Sequence, residues 1–144
     1  MMFNYILYFI IMILSILFME CIAILSHKYI MHGPGWFLHK SHHTKNTSLF
    51  ELNDYYFIIF SLPSILNIVL GILNNNPILL SIGLGILAYG LIYICLHDIM
   101  VHKRLGFSIK PTNKYLMKIK HSHLKHHSNK TKNGATNFGF ISYK

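Results

Sequence analysis

The fold is decided by residues 3–32, FNYILYFIIMILSILFMECIAILSHKYIMH, where a long apolar run passes directly into a pair of histidines. The apolar run has 23 residues, and its only polar side chains are Asn4, Ser15 and Glu20. A helix of that length measures about 35 Å, which is enough to cross the hydrocarbon core of a bilayer, about 30 Å thick. The sequence therefore predicts a membrane-spanning helix over residues 3–25.

Two further apolar runs, residues 55–73 and 78–96, are also long enough to cross a bilayer. Hydrophobic residues make up 53% of the chain and charged residues only 12%, whereas about a quarter of the residues in soluble domains are charged. Because the apolar residues come in blocks, they indicate a bilayer rather than a soluble core. We expect an all-α integral membrane protein with about three transmembrane helices, and a single domain over residues 1–144.

The basic residues are distributed on one side of this arrangement. None of the 13 lysines and arginines precedes the first run or lies in the turn at residues 74–77, while three lie between the first and second runs and ten follow the third. Since basic residues near helix ends stay on the cytoplasmic side, the N-terminus is predicted outside, and residues 26–54 and 97–144 form a cytoplasmic histidine-rich helical cap. This sorting explains the net charge of +9, and no nucleic-acid partner is expected because no recognised binding motif accompanies it.

The histidines follow one pattern that occurs twice. An HxxxxH pair follows the first and the third apolar runs, and an HxxHH triplet comes after each pair. These motifs contain ten of the eleven histidines: His27, His32, His39, His42, His43, His97, His102, His123, His126 and His127. Neutral imidazole is a good ligand for iron, zinc and copper. A single triplet could be an exposed polar helix face, but the repeat favours a metal site.

The spacing within each motif constrains its local structure. Histidines at i, i+3 and i+4 place three rings along one face of a helix. The two histidines of an HxxxxH pair differ by about 140° around an ideal helix, so we expect each pair to straddle a helix end or a local bulge. Ten candidate ligands are too many for one tetrahedral zinc, and they suffice for two metals with room for water or oxygen.

Acidic residues are scarce, and the chain has only Glu20, Glu51, Asp54 and Asp98. A ferritin-like site built from Glu and Glu-x-x-His motifs therefore cannot be assembled, and the site must be rich in histidine. Asp98 and Asp54 are expected either to accept hydrogen bonds from ligand imidazoles or to cap helix ends. Glu20, inside the first helix, is expected to point toward the metal site or to relay protons.

The eleventh histidine, His121, lies within a helix predicted over residues 113–128. Leu116, Ile119 and His123 form one stripe of that helix, which passes from apolar packing to metal ligation. His121 falls instead in a stripe of lysines at +3 and +4 steps. The helix phase therefore predicts that His121 faces solvent and is not a ligand.

Other residues have structural interpretations. Gly83, Gly85 and Gly90 are expected to permit close packing of the third helix, and Pro63 is expected to bend the second. Trp36 is expected either to anchor the chain at the membrane interface or to form a wall of a substrate pocket.

Several segments together carry a resemblance to a known family. They are residues 19–33 (MECIAILSHKYIMHG), Gly35-Trp36 before HKSHH, residues 50–54 (FELND), Tyr89-Gly90 before HDIMVH, and HLKHH with Phe138-Gly139-Phe140. In this order, over residues 19–143, the chain resembles the bacterial β-carotene 3-hydroxylases of the membrane fatty acid hydroxylase superfamily. It departs from their pattern at Ile99, where the family usually has Gly, and at Asn137, where it usually has Ser. His121 also lies outside the shared pattern.

The resemblance implies a non-haem diiron monooxygenase that uses O2 to hydroxylate carbon 3 of β-ionone rings, converting β-carotene through cryptoxanthin to zeaxanthin. It also implies that the ten histidines in the motifs are the iron ligands. Because the chain has no flavin, haem or iron–sulfur motif of its own, an external electron donor such as ferredoxin is expected.

Other activities would use similar histidines. A related fatty-acid or sterol hydroxylase, or a carotenoid ketolase, remains an alternative, although HKYIMHGPGW and FELND favour the carotenoid hydroxylase. A metal transporter is the alternative outside enzymes. It would need polar ligands near the membrane midplane, whereas no histidine lies within the three apolar runs.

Overall fold

A computed structural model describes residues 2–44 and 50–143, and all regular structure in those two ranges is helical. Lys45, one of the basic residues used for the predicted orientation, lies outside the described residues. The elements are α1 (Met2–Leu25), a first π-helix (Ser26–Met31), α2 (Trp36–His39) with a 3-10 turn (Lys40–His43), α3 (Asp54–Leu73), α4 (Pro77–Tyr93), a second π-helix (Ile94–Val101) and α5 (Lys114–Ser128). α3 continues through Pro63, and the bend expected there stays a prediction.

Three helices are long and apolar enough to cross a membrane, namely Phe3–Met31, Asp54–Leu73 and Pro77–Val101. In the most apolar 18-residue stretch of each helix, only 17–22% is buried inside the protein. Most of these side chains therefore face outward, where lipid would cover them. The all-α fold with three membrane-crossing helices is therefore confirmed for the part of the chain that the structure describes. The side of the membrane on which each end lies, and the single domain, stay predictions.

The chain forms two compact units, Met1–Met19 with Tyr56–Leu91, and Glu20–Tyr55 with Ile92–Lys144. In the first unit, glycines of α4 allow close helix contact. A Cβ atom on Gly85 would lie 2.6 Å from the carbonyl oxygen of Met12, and one on Gly83 would lie 2.8 Å from the amide nitrogen of Ile68. These contacts confirm the packing role predicted for Gly83 and Gly85. The same prediction is wrong for Gly90, since among the described residues no atom beyond its chain neighbours and its own helix backbone lies within 4 Å of its Cβ position.

In the second unit, the π-helices bring the two histidines of each HxxxxH pair together. The amide of His32 donates a hydrogen bond of 3.0 Å to the carbonyl of His27, and the amide of His102 donates one of 3.0 Å to His97. This i→i+5 bond puts the two residues of a pair one π-turn apart, at the end of a helix, so both alternatives that the spacing left open, a helix end and a local bulge, describe the pair. The helices consequently run past residues 25 and 96, where the apolar runs end.

α5 matches the helix predicted over residues 113–128. Its cap is Asn113, whose side chain accepts a hydrogen bond of 2.9 Å from the amide of Leu116. Ile119 is buried against Met100 and Val101. The opposite stripe, which contains His121, is exposed, as the helix phase predicts.

Candidate metal centre

All ten histidines of the repeated motifs lie in the second unit, where they form two groups of five. Site 1 consists of His27, His32, His39, His43 and His126, and site 2 consists of His42, His97, His102, His123 and His127. Within each group, one ring nitrogen from every histidine lies within 4.8 Å of all the others. Nine of the ten are buried and His102 is partly buried. His121 belongs to neither group.

The two HxxHH triplets each divide between the sites. In HKSHH, the first and third histidines belong to site 1 and the second, His42, belongs to site 2. In HLKHH, the first and third histidines belong to site 2, and the second, His126, belongs to site 1. Residues at i and i+4 share a helix face more closely than the residue at i+3 does. Each triplet therefore contributes to both sites, a division that the spacing alone did not predict.

Oxygen acceptors fix the ring orientations in site 1. The Nδ1 atom of His39 lies 2.6 Å from the side-chain oxygen of Asn53. The other four Nδ1 atoms lie 2.7–3.0 Å from backbone carbonyl oxygens, in the pairs His27–Phe138, His32–Lys132, His43–Asn129 and His126–Thr136. Since a carbonyl oxygen only accepts, each Nδ1 must carry the proton and donate it. Every Nε2 in site 1 therefore keeps its lone pair.

These five lone pairs converge. The Nε2 atoms are 3.1–3.2 Å apart in the pairs His27–His39, His39–His43, His43–His126 and His126–His32. Two unprotonated nitrogens cannot form a hydrogen bond with each other, so these contacts require a cation. Neighbouring corners of an octahedron with metal–nitrogen distances of about 2.1 Å are about 3.0 Å apart, and the residues present therefore fit a metal ion.

Site 2 has the same convergence with different acceptors. Its Nε2 atoms are 2.8–3.1 Å apart in the pairs His42–His97, His102–His123 and His123–His127. Here the Nδ1 atom of His42 donates to the carboxylate of Glu51 at 3.1 Å, and that of His97 donates to Asp98 at 2.7 Å. Such carboxylates orient an imidazole and increase its basicity as a ligand. The hydrogen bond expected for Asp98 is thus present, whereas the contact of Glu51 was not predicted.

Arg104 joins the acidic residues near site 2, and sequence reasoning did not identify it either. Its guanidinium donates two hydrogen bonds of 2.7 and 2.8 Å to Asp54 and lies 3.6 Å from Asp98 and 3.9 Å from Glu51. The hydrogen bonds to Asp54 raise the pKa of Arg104 above its usual range. Of the two roles expected for Asp54, the structure agrees with the one at a helix end, because its carboxylate, in the first turn of α3, binds the amide of Glu51 and Arg104 rather than an imidazole.

Glu20 also differs from expectation, because its buried side chain binds the C-terminal part of the chain. Its Oε1 atom accepts hydrogen bonds from the amides of Phe140, Ile141 and Ser142, at 2.8–3.1 Å, and from the hydroxyl of Ser142 at 2.6 Å. We call residues 129–142 the C-terminal strap. The carboxyl group is thus used to hold this strap rather than directed at the ring nitrogens of the metal sites.

Aromatic rings cover the histidines. The ring centroid of Trp36 lies 5.1–5.9 Å from three imidazoles of site 1. Phe140, in the strap, lies 5.4 Å from both His27 and His97, one residue from each site. Tyr93 stacks on His97 at 4.4 Å. These rings exclude water, which strengthens electrostatic interactions at the nitrogen atoms.

Burial keeps the imidazoles neutral. Loss of solvent lowers the pKa of His39 and His126 to about 3, and that of His43 and His102 to about 4. Repulsion from neighbouring imidazoles lowers these pKa values further for His39, His43 and His126. All four are therefore neutral at physiological pH, which is the form that binds metals.

Comparison with known proteins identifies relatives of the chain. A beta-carotene hydroxylase of Pantoea ananas is 44% identical over 131 residues, which cover 91% of this chain and 74% of the relative. One from Paracoccus sp. (strain PC1) is 38% identical over 134 residues, covering 92% and 82%. A chloroplastic beta-carotene 3-hydroxylase of Haematococcus lacustris is 39% identical over 117 residues, covering 78% and 36%.

No solved structure matches the chain significantly. The family model described as fatty acid hydroxylase matches residues 12–143, a range that includes every histidine of both sites. The repeated histidine motifs, the two five-histidine groups and the similarity to the bacterial relatives agree with this match. The chain therefore belongs to the fatty acid hydroxylase family.

Proposed function

We propose that this protein is a carotenoid monooxygenase that hydroxylates carbon 3 of β-ionone rings, converting β-carotene through cryptoxanthin to zeaxanthin. The observation that carries the proposal is the pair of buried five-histidine sites in a chain whose bacterial relatives are named beta-carotene hydroxylases. In the reaction, one atom of O2 enters a C–H bond, and the other leaves as water after two electrons and two protons are taken up.

The ten histidines of sites 1 and 2 are proposed to hold two iron ions. Bound iron would activate O2 and supply the oxidising power that an unactivated C–H bond requires. The chain's own residues hold neutral imidazoles in place, through backbone carbonyls in site 1 and through Glu51 and Asp98 in site 2. Zinc binds imidazole sites more tightly than ferrous iron and can therefore replace it during purification. Because zinc has no redox chemistry, protein purified with zinc is expected to be inactive.

The substrate and the electron donor follow from the same reasoning. A carotenoid dissolves in the bilayer, and an enzyme with three membrane-crossing helices works in that phase. We place the N-terminus outside and the histidine-rich segments on the cytoplasmic side, in line with the distribution of basic residues. The two electrons are proposed to come from a ferredoxin, whose acidic surface would be attracted by the net charge of +9.

A product assay tests the proposal. The chain is expressed in a bacterium that makes β-carotene, and the pigments are separated by chromatography. We expect cryptoxanthin and zeaxanthin with the wild type and with His121→Ala, which alters a histidine outside both sites, and unchanged β-carotene with His42→Ala at equal expression. If folded, iron-loaded wild-type protein with a working reductant formed only keto-carotenoids or no product, the proposal would be wrong.

A further inference from the structure

The C-terminal strap provides most of the hydrogen-bond acceptors of site 1. The structure describes residues 129–142 without a helix or strand, so their carbonyl groups are not used in regular secondary structure. Four of these carbonyls, at Asn129, Lys132, Thr136 and Phe138, accept the Nδ1 protons of four of the five histidines. The strap therefore fixes the tautomer and the orientation of those imidazoles.

Glu20 holds the far end of the strap. Its Oε1 atom accepts from three consecutive amides and one hydroxyl, all contributed by residues 140–142. The fit is close, because a Cβ atom on Gly139 would lie 2.7 Å from the same Oε1 atom. Glu20 also lies on α1, seven positions before His27. One carboxyl group thus joins the strap to the helix that leads to site 1.

Site 2 does not use these carbonyls in the same way. Two of its histidines, His42 and His97, donate instead to the carboxylates of Glu51 and Asp98, both outside the strap. The strap contacts site 2 through the ring of Phe140, which packs against His97 and His123. A displaced strap would therefore remove hydrogen bonds from site 1 while leaving the carboxylate hydrogen bonds of site 2 in place.

We propose that Glu20 is a positioning residue for the metal at site 1, acting through the C-terminal strap. When Glu20 holds the strap, four imidazoles present their Nε2 lone pairs to one point. Without it, those rings lose the acceptors that fix their protons on Nδ1. This inference rests on the proposed metal binding and does not depend on the proposed substrate.

The test compares Glu20→Leu with Glu20→Gln in purified full-length protein, with cobalt(II) as the probe. Leucine removes all the hydrogen bonds and suits a membrane helix, whereas the amide oxygen of glutamine can still accept from the strap. Losing the groups that orient metal ligands typically weakens metal affinity by about 10–100-fold. We expect Glu20→Leu to show that loss for one of two cobalt ions, and Glu20→Gln to retain both.

Reference variants identify which site is affected. The cobalt absorption spectrum of Glu20→Leu should match that of His32→Ala, which damages site 1, and not that of His97→Ala, which damages site 2. The double variant of Glu20→Leu and His32→Ala should bind as much cobalt as His32→Ala alone, because both changes damage site 1. The double variant of Glu20→Leu and His97→Ala should lose the cobalt ion that His97→Ala still binds. Gly139→Ala disturbs the same contact from the side of the strap, and it should also weaken cobalt binding at site 1. This variant tests the proposal if Glu20→Leu does not fold.

Unchanged binding of both ions in Glu20→Leu, or equal loss of both ions, would overturn the proposal. The first result would mean that the strap does not need Glu20. The second would mean that Glu20 supports the whole fold and not one site. Because cobalt binding is measured without a carotenoid, a failure of the proposed hydroxylation in cells would leave this result interpretable.

Discussion

At the scale of single residues, Asn137 shows how backbone conformation serves the metal centre. It has a φ of 60°, in the left-handed region. Its two neighbours, Thr136 and Phe138, direct their carbonyls to two different histidines of site 1. Asparagine adopts this conformation more readily than most residues. Asparagine therefore suits the backbone conformation at this position.

This conformation leads to a prediction for two substitutions at residue 137. Asn137→Gly should retain metal at site 1, because glycine adopts positive φ without cost. Asn137→Val should lose affinity there, since a left-handed conformation costs about 1–2 kcal/mol for a residue with a Cβ and more for a branched one. Metal content per chain, measured on detergent-purified protein, compares the two variants. Equal metal loss in both would show that the side chain of Asn137 matters and not its backbone.

A second residue-scale prediction separates two histidines of α5. His121 is exposed, whereas His123 is buried within site 2. We expect His121→Ala to keep iron and most activity, and His123→Ala to lose activity together with iron from site 2. Iron is measured on membranes with matched expression. Parallel iron loss in the two variants would contradict the ligand assignment.

The ten histidines could be found from the sequence because side-chain identity and spacing carry the signal. The acceptors of site 1 could not, since four of them are backbone carbonyls, which every residue has. Glu51 was harder to assign than Asp98 because Asp98 is adjacent to its histidine, whereas Glu51 lies nine residues from His42. The division of each triplet between two sites depends on tertiary packing, which the motif does not encode.

At the scale of helices, the lengths of the apolar runs predicted the three membrane-crossing elements within a few residues. Their ends were less predictable, because the switch from α to π hydrogen bonding needs only one extra residue per turn and has no distinctive composition. The HxxxxH spacing was the one available signal, and it indicated a helix end or a local bulge without distinguishing the two.

Gly85 and Gly90 provide a matched test of helix packing in α4. Gly85→Ala should destabilise the protein, because the new methyl group would lie 2.6 Å from a backbone carbonyl of α1. Gly90→Ala should be neutral or stabilising by up to about 1 kcal/mol, since its Cβ position is open and alanine favours a helix. Thermal unfolding in detergent measures both. If Gly90→Ala destabilised the protein more than Gly85→Ala does, this account of the packing would be contradicted.

At the scale of the whole molecule, removal of metal should lower stability. Without a cation, the converging lone pairs of both sites repel one another in a buried environment. A ligand at 100 times its dissociation constant stabilises the folded state by about 2.7 kcal/mol. We expect chelation to lower the midpoint of thermal unfolding and metal to restore it. His121→Ala should respond as the wild type does, and His97→Ala should gain less from added metal. An unchanged midpoint after complete metal removal would contradict the prediction.

The division of each HxxHH triplet between the sites links the two sites through the backbone. His42 and His43 are consecutive residues that belong to different sites, and so are His126 and His127. Consecutive Cα atoms are about 3.8 Å apart, and covalent geometry keeps that distance constant. The two metal positions are therefore linked twice through the polypeptide backbone itself. A movement of either segment would therefore displace imidazoles of both sites together, because one histidine of each consecutive pair belongs to each site.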